Sequence, residues 1–147
     1  MGIYSVSRSN FTLASSGNDA ITIIPATGRS LRLLEVSISG MGNTASASHL
    51  FTARSSGGTT GGGDITPRPL REAEVAAAFS AFTTWAAQPT HGPNILIMPC
   101  NSNGGIYRWV ESDEEVVWID GNTNEQISFF GGVNNVSATL MAIIEEF

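Results

Sequence analysis

The sequence predicts an all-β fold, a jelly-roll-like antiparallel sandwich with one short helix near residues 69–77. Three observations carry this. Apolar and polar residues alternate with period two in run after run, as in Arg32-Leu33-Leu34-Glu35-Val36-Ser37-Ile38-Ser39, where Leu34, Val36 and Ile38 fall on one side and Glu35, Ser37 and Ser39 on the other. Clusters of Gly, Asn, Ser and Asp punctuate the chain about every ten residues, the spacing of short strands in a sandwich or barrel. No self-similarity at periods of about 20–50 residues marks a propeller or solenoid. With 147 residues and 41% hydrophobic content, the chain is sized for one domain, 1–147, that buries its own core.

Taken in order, strands are expected at 3–13, at 20–24 before Pro25, at 32–39 after the turn Thr27-Gly28-Arg29, and at 49–54 after Gly40-Met41-Gly42-Asn43. Residues 55–63, a run of Ser, Gly and Thr, bury too little apolar surface to offset the entropy of ordering them. They read as a flexible loop, and residues 1–8 are expected to be weakly ordered too. Pro67 and Pro69 at the front, Glu72 and Glu74 in the first turn and alanines at 76–78 favour the helix. Extended structure then returns, with Phe79, Ala81, Thr83 and Trp85 on one side.

Further strands are expected at 95–100, 107–110, 115–119, 126–130 and 136–145, separated by Asn- and Gly-rich turns that tolerate positive φ. The last is apolar on both faces, with Val136, Ala138, Leu140, Ala142 and Ile144 on one and Met141, Ile143 and Phe147 on the other. Such a strand is either central to a sandwich or covered by another subunit. The second alternative makes Met141, Ile143 and Phe147, together with Phe129 and Phe130, the candidate interface between protomers.

The composition leaves little to do chemistry with. There is no lysine, Cys100 is the one cysteine, His49 and His91 are the two histidines, and charged residues make up 14% of the chain. An enzyme is not expected. A lone cysteine fits a reducing cytoplasm and reads as a small buried hydrophobe. No window resembles a membrane span or a signal peptide, so synthesis in the cytoplasm is expected, and the sequons at Asn10 and Asn135 are chance matches. The net charge of −6 is uneven, since the acids from Glu111 onward face only Arg108. Direct binding of nucleic acid, which draws on Lys and Arg against phosphate, is disfavoured.

The remaining motifs are weak. The glycine-rich run lacks the Gly-Lys-Ser/Thr ending of a phosphate loop. Asp120-Gly121-Asn122-Thr123-Asn124 alternates oxygen ligands as a calcium loop does, but Glu125 stands where the sharp turn needs Gly and Gly131 where the bidentate Glu belongs; a polar hairpin fits better. Glu111-Ser112-Asp113-Glu114-Glu115 lies in a turn, and adjacent acids do not face each other across a substrate as a glycosidase pair must. His49 and His91 have no Cys or His at ligand spacing and read as polar or packing residues. Trp85, Trp109, Trp118 and Tyr107 fit either core packing or stacking on sugar rings. No catalytic, cofactor-binding or metal set emerges.

Several segments together resemble phage capsid decoration proteins, also called cement or head-stabilisation proteins. They are Gly28 to Gly40, Arg54 to Pro67, Trp85 to Thr90, Gly104 to Val110, Glu125 to Ser128, and the closing Ile144-Glu145-Glu146. The resemblance spans most of the chain and lies in texture and short segments. It implies a compact β fold, often a jelly roll, assembled as a homotrimer on the outer capsid surface of the virion, where it binds the major capsid protein, bridges shell subunits and catalyses nothing. Arg54, Arg68 and Arg71, flanking the glycine-rich run, are the candidate capsid contacts through bidentate pairs with shell carboxylates. The alternative is a tail or fibre module that binds a host glycan; a carbohydrate-active enzyme comes third.

Overall fold

The computed structural model describes residues 2–72, 75–112 and 114–147. Twelve strands run in order: β1 (Gly2–Leu13), β2 (Asp19–Ile24), β3 (Ser30–Gly40), β4 (Ala47–Ser56), β5 (Thr59–Ile65), β6 (Arg68–Pro69), β7 (Ser80–Ala87), β8 (Thr90–Asn101), β9 (Ile106–Val110), β10 (Val117–Asp120), β11 (Gln126–Gly131) and β12 (Val136–Glu146). They form two antiparallel sheets. The first has the order β10-β3-β12-β1-β6, with β9 also on β3; the second has the order β5-β7-β2-β11-β4-β8. The links β1 to β2, β2 to β3, β3 to β4, β8 to β9, β10 to β11 and β11 to β12 each cross from one sheet to the other. That winding, two interlocked Greek keys, is a jelly roll.

The core lies between the sheets. Val136, Ala138, Leu140, Ala142 and Ile144 are all fully buried on the inner face of β12, and they meet Ile21, Ile23, Ile127 and Phe129 from the second sheet. Alternation places them there, because successive side chains of a strand point to opposite faces. In β3 the alternation shifts. Leu31 and Leu33 are buried, then Val36 and Ile38, while Leu34 is only half-buried. The register with β12 jumps from Ile143↔Glu35 to Ile144↔Leu33, so Leu34 is the extra residue of a bulge and does not share a face with Val36 and Ile38 as the alternation suggested.

One further expectation is corrected. No helix forms near 69–77 among the described residues, while Ala73 and Glu74 lie outside them. Arg68 and Pro69 instead pair with Ser5 and Tyr4. The segment is too short for its alanines to sustain a helix, and the chain beyond it is tied by tertiary bonds, from Tyr4 Oη to Val75 O at 3.0 Å and from Ala78 N to the Glu146 carboxylate at 3.2 Å. Residues 55–63 are drawn into strands β4 and β5, with a turn at Gly57-Gly58. Residues 2–8 belong to β1, paired with β12 across the whole segment.

The stretch 55–63 is half of a ribbon. β4 pairs with β8 as far as Ser56↔Thr90, and β5 pairs with β7 from Thr59↔Ala87 onward. Between these pairs Gly57-Gly58 lies opposite Gln88-Pro89, and the ribbon turns across the start of β11 so that β7 comes to pair with β2. Gly57 and Gly58 have φ of 69° and 86°, the left-handed region where a Cβ is strained. A Cβ on Gly58 would also lie 2.9 Å from the Trp85 ring and 3.0 Å from Ala87 O.

Candidate functional site

Folding the ribbon over β11 buries the outer side of β2 and β11, where short polar side chains sit. Asp19, at the start of β2, has a fully buried side chain. Its carboxylate accepts hydrogen bonds from Thr22 Oγ1 and from Ser128 Oγ at 2.5 Å. Its other oxygen lies 2.5 Å from His91 Nε2, and its backbone N–H donates to Gln88 Oε1 at 3.0 Å. Ser55 Oγ and Ser128 Oγ are 2.7 Å apart, Trp85 Nε1 donates to Thr22 Oγ1 at 3.0 Å, and Gln126 Nε2 donates to Gly57 O at 3.2 Å. These bonds tie both strands of the bent ribbon to β2 and β11. A carboxylate out of water is costly unless it is hydrogen-bonded, and here both of its oxygens have partners.

His91 is held on two sides, by Asp19 and by Phe130, whose ring is stacked on it at 3.9 Å between centroids. It then lines a cleft of about 370 Å³ at the end of the sandwich, with Ser56, Thr90 and the turn 123–125. Arg54 crosses that cleft, its Nε 3.1 Å from Glu125 Oε1 and its Nη2 donating to Trp118 O at 2.9 Å. The geometry is not that of a nucleophile triad. Ser128 is bonded to the carboxylate, whereas a triad serine is bonded to the imidazole. Among the described residues, no group of three or more His, Cys, Asp or Glu side chains is placed to hold a metal ion.

A second surface is the outer face of the first sheet. Cross-strand partners share a face, so the registers place Met141 beside Ser37 and Arg108, Ile143 beside Glu35 and Val110, and Glu145 beside Arg32 and Trp118. Ile106, Val110 and Trp118 are exposed there, and Met141, Ile143 and Phe147 are half-buried, with Phe147 5.1 Å from the Trp118 ring. The charges on this face answer one another. Arg108 grips Glu35 through two bonds of 2.6 Å, which raises the pKa of the guanidinium, and Arg32 lies 2.7 Å from Glu111, 3.7 Å from Glu145 and over the Trp118 ring.

The expected interface residues therefore separate. Met141, Ile143 and Phe147 are together on this face. Phe129 is fully buried inside the sandwich, and Phe130 is on the outer side of the second sheet against His91 and Phe51. The expected capsid contacts also separate. Arg54 lies by β10, whereas Arg68 and the exposed Arg71 lie at or next to β6, on the opposite edge of the first sheet and about four strand spacings or ~19 Å away.

The weaker motifs settle as local structure. Cys100 is buried. Asp120 Oδ1 accepts from Asn122 N at 2.9 Å and Asn122 Nδ2 at 3.1 Å, and the turn links two different sheets, so it is a crossover and not a hairpin. The edge that β9 and β10 share against β3 is interrupted at the Leu34 bulge, where Glu111 N donates to Leu34 O at 2.9 Å; of the acid cluster, Asp113 lies outside the described residues. The Asp19–His91 pair escaped the sequence because 72 positions separate its members and only the ribbon's bend joins them. The one sequence signal was an acid heading the apolar run Ala20 to Ile24. No family model matches the chain, and no curated protein and no solved structure matches it.

Proposed function

We propose that this chain is a structural virion protein, a trimeric decoration protein that binds the outside of an assembled phage capsid and stabilises it by bridging subunits of the major capsid protein. The observation that carries the reading is the outer face of the first sheet. It combines exposed Ile106, Val110 and Trp118 and half-buried Met141, Ile143 and Phe147 with arginines already paired to glutamates. A face whose charges are matched within it can be covered without stranding an ion, and apolar residues with Arg and Trp are the composition of buried interfaces. Three copies joined there would present three sets of shell contacts, and attachment at several points raises effective concentration at each.

Arg68 and Arg71 are exposed and have no ion pair among the described residues, so they are the arginines best placed to reach shell carboxylates. Arg54 is engaged by Glu125 and is the weaker candidate. A ligand that binds only the assembled shell stabilises it by mass action. The purified chain, added to undecorated expanded capsids, is expected to raise their temperature of disruption, with density for three copies per site in electron micrographs. Capsids that fail at the same temperature with and without it would sink the reading.

A further inference from the structure

We propose that the cleft bounded by Arg54, Glu125, Asn124, Thr123, Ser56 and His91 binds a neutral saccharide. The site stands apart from the sheet face on which the decoration reading rests, and neither depends on the other.

His91 is oriented before any ligand arrives. Nε2 faces the buried Asp19 carboxylate and one ring face is covered by Phe130, so the exposed 20% of its side chain is what the cleft receives. An imidazole fixed in this way by a carboxylate offers one defined ring edge and one flat surface, and a preset partner lowers the ordering cost of binding. Stability alone does not call for the arrangement, because apolar residues would fill a β sandwich at no desolvation cost.

The ligand's class follows from the other walls. Arg54 is the one cation among the cleft's lining residues, and it already meets Glu125 at 3.1 Å and the Trp118 carbonyl at 2.9 Å. An anion would face the Glu125 carboxylate beside it. A metal ion would find one carboxylate and one imidazole, too few ligands for a site. The walls otherwise carry hydroxyls, an amide and the small Gly92, giving donors and acceptors side by side on a surface that also exposes carbon, as a sugar ring with its C–H faces does. Vicinal hydroxyls, each donor and acceptor at once, are the complement of such a surface. The volume, about 370 Å³, falls in the lower part of the range for small-molecule sites, roughly 300–1,000 Å³. Asn124, at φ 54°, holds its amide at the rim from a left-handed backbone position that asparagine tolerates better than most residues.

The test is a titration of the isotope-labelled protein with neutral oligosaccharides of hexose, N-acetylhexosamine and deoxyhexose type, followed by amide chemical shifts. Inorganic phosphate and acetate serve as anionic probes. At least one neutral saccharide is expected to give saturable shifts at Ser56, Thr90 and Asn124. Asn124→Gly removes the amide and suits the left-handed backbone, so it keeps the fold; it is expected to weaken that binding about tenfold. His91→Phe keeps a ring against Phe130 and is expected to abolish binding if its spectrum remains folded. The proposal is overturned if no neutral saccharide gives saturable shifts, if Asn124→Gly binds as the parent does, or if phosphate or acetate occupies the cleft in place of the sugars.

Discussion

At Asp19 a carboxylate is withdrawn from water and held by two hydroxyls and an imidazole. Removing it strands those partners, so Asp19→Ala is expected to cost about 3 kcal/mol or more of unfolding free energy, read by urea denaturation. Thr52 presents the opposite case. It is fully buried on the inner side of β4, and its hydroxyl finds no partner among the described residues. Valine has the same shape without that burden, and Thr52→Val is expected to stabilise by about 1 kcal/mol in the same assay; a loss would mean the hydroxyl is satisfied. At Cys100 burial pushes the thiol's pKa up, against a smaller opposing effect from a hydrogen bond with the Ser48 backbone. The thiolate is the reactive form, so iodoacetamide at neutral pH is expected to leave Cys100 unmodified until the protein is unfolded.

The ribbon of β4–β5 against β7–β8 is the element on which the Asp19 nest and the cleft beside it depend. Its bend needs two successive left-handed residues and close backbone approach at Gly58. Gly58→Ala combines a left-handed penalty of about 1–2 kcal/mol with a clash against Trp85 and the Ala87 carbonyl, so it is expected to loosen the nest around Asp19. Gly62 has φ 104° but open space around a Cβ, and Gly62→Ala is expected to show the backbone cost alone. Amide exchange at Thr22, Trp85 and Ser128 separates the two: it rises for Gly58→Ala and stays near parental for Gly62→Ala. Equal exchange in both variants would mean that close packing at the bend is unimportant.

Across the whole molecule, the sheets protect their edges and leave a face open. The edge strand β8 carries Pro93 and Pro99, β6 carries Pro69, β5 is broken by bulges, and the β9–β10 edge is interrupted opposite Leu34. Such edges resist strand-to-strand polymerisation. The outer face of the first sheet is therefore the surface on which the proposed trimer would form. Under the trimeric reading proposed above, Ile143→Asp is expected to give a folded monomer in light scattering, while Phe129→Ala is expected to cost about 3–5 kcal/mol of stability by emptying the core. A monomeric parent protein would remove the trimer from the reading. The loops also divide by charge: 14–18, 41–46, 102–105 and 132–135 gather at one end with no charged residue, while Arg29, Arg54 and Glu125 lie at the other, where the cleft opens.

Local pattern was enough for the strands from 3–13 to 136–145, because alternation and turn residues are written within a few positions of each other. The buried run Val136, Ala138, Leu140, Ala142 and Ile144 was legible in the same way. The helix near 69–77 failed because it rests on what the segment prefers alone, and here pairing of Arg68 and Pro69 with β1 supplies backbone partners that outweigh the preference. Leu34 was assigned to the wrong face because a one-residue bulge against β12 shifts the alternation without altering the sequence pattern. The cleft and the Asp19–His91 pair were out of reach altogether. They exist where a glycine bend returns one ribbon across another strand, and contacts between positions so far apart are created by the folded chain's path through space.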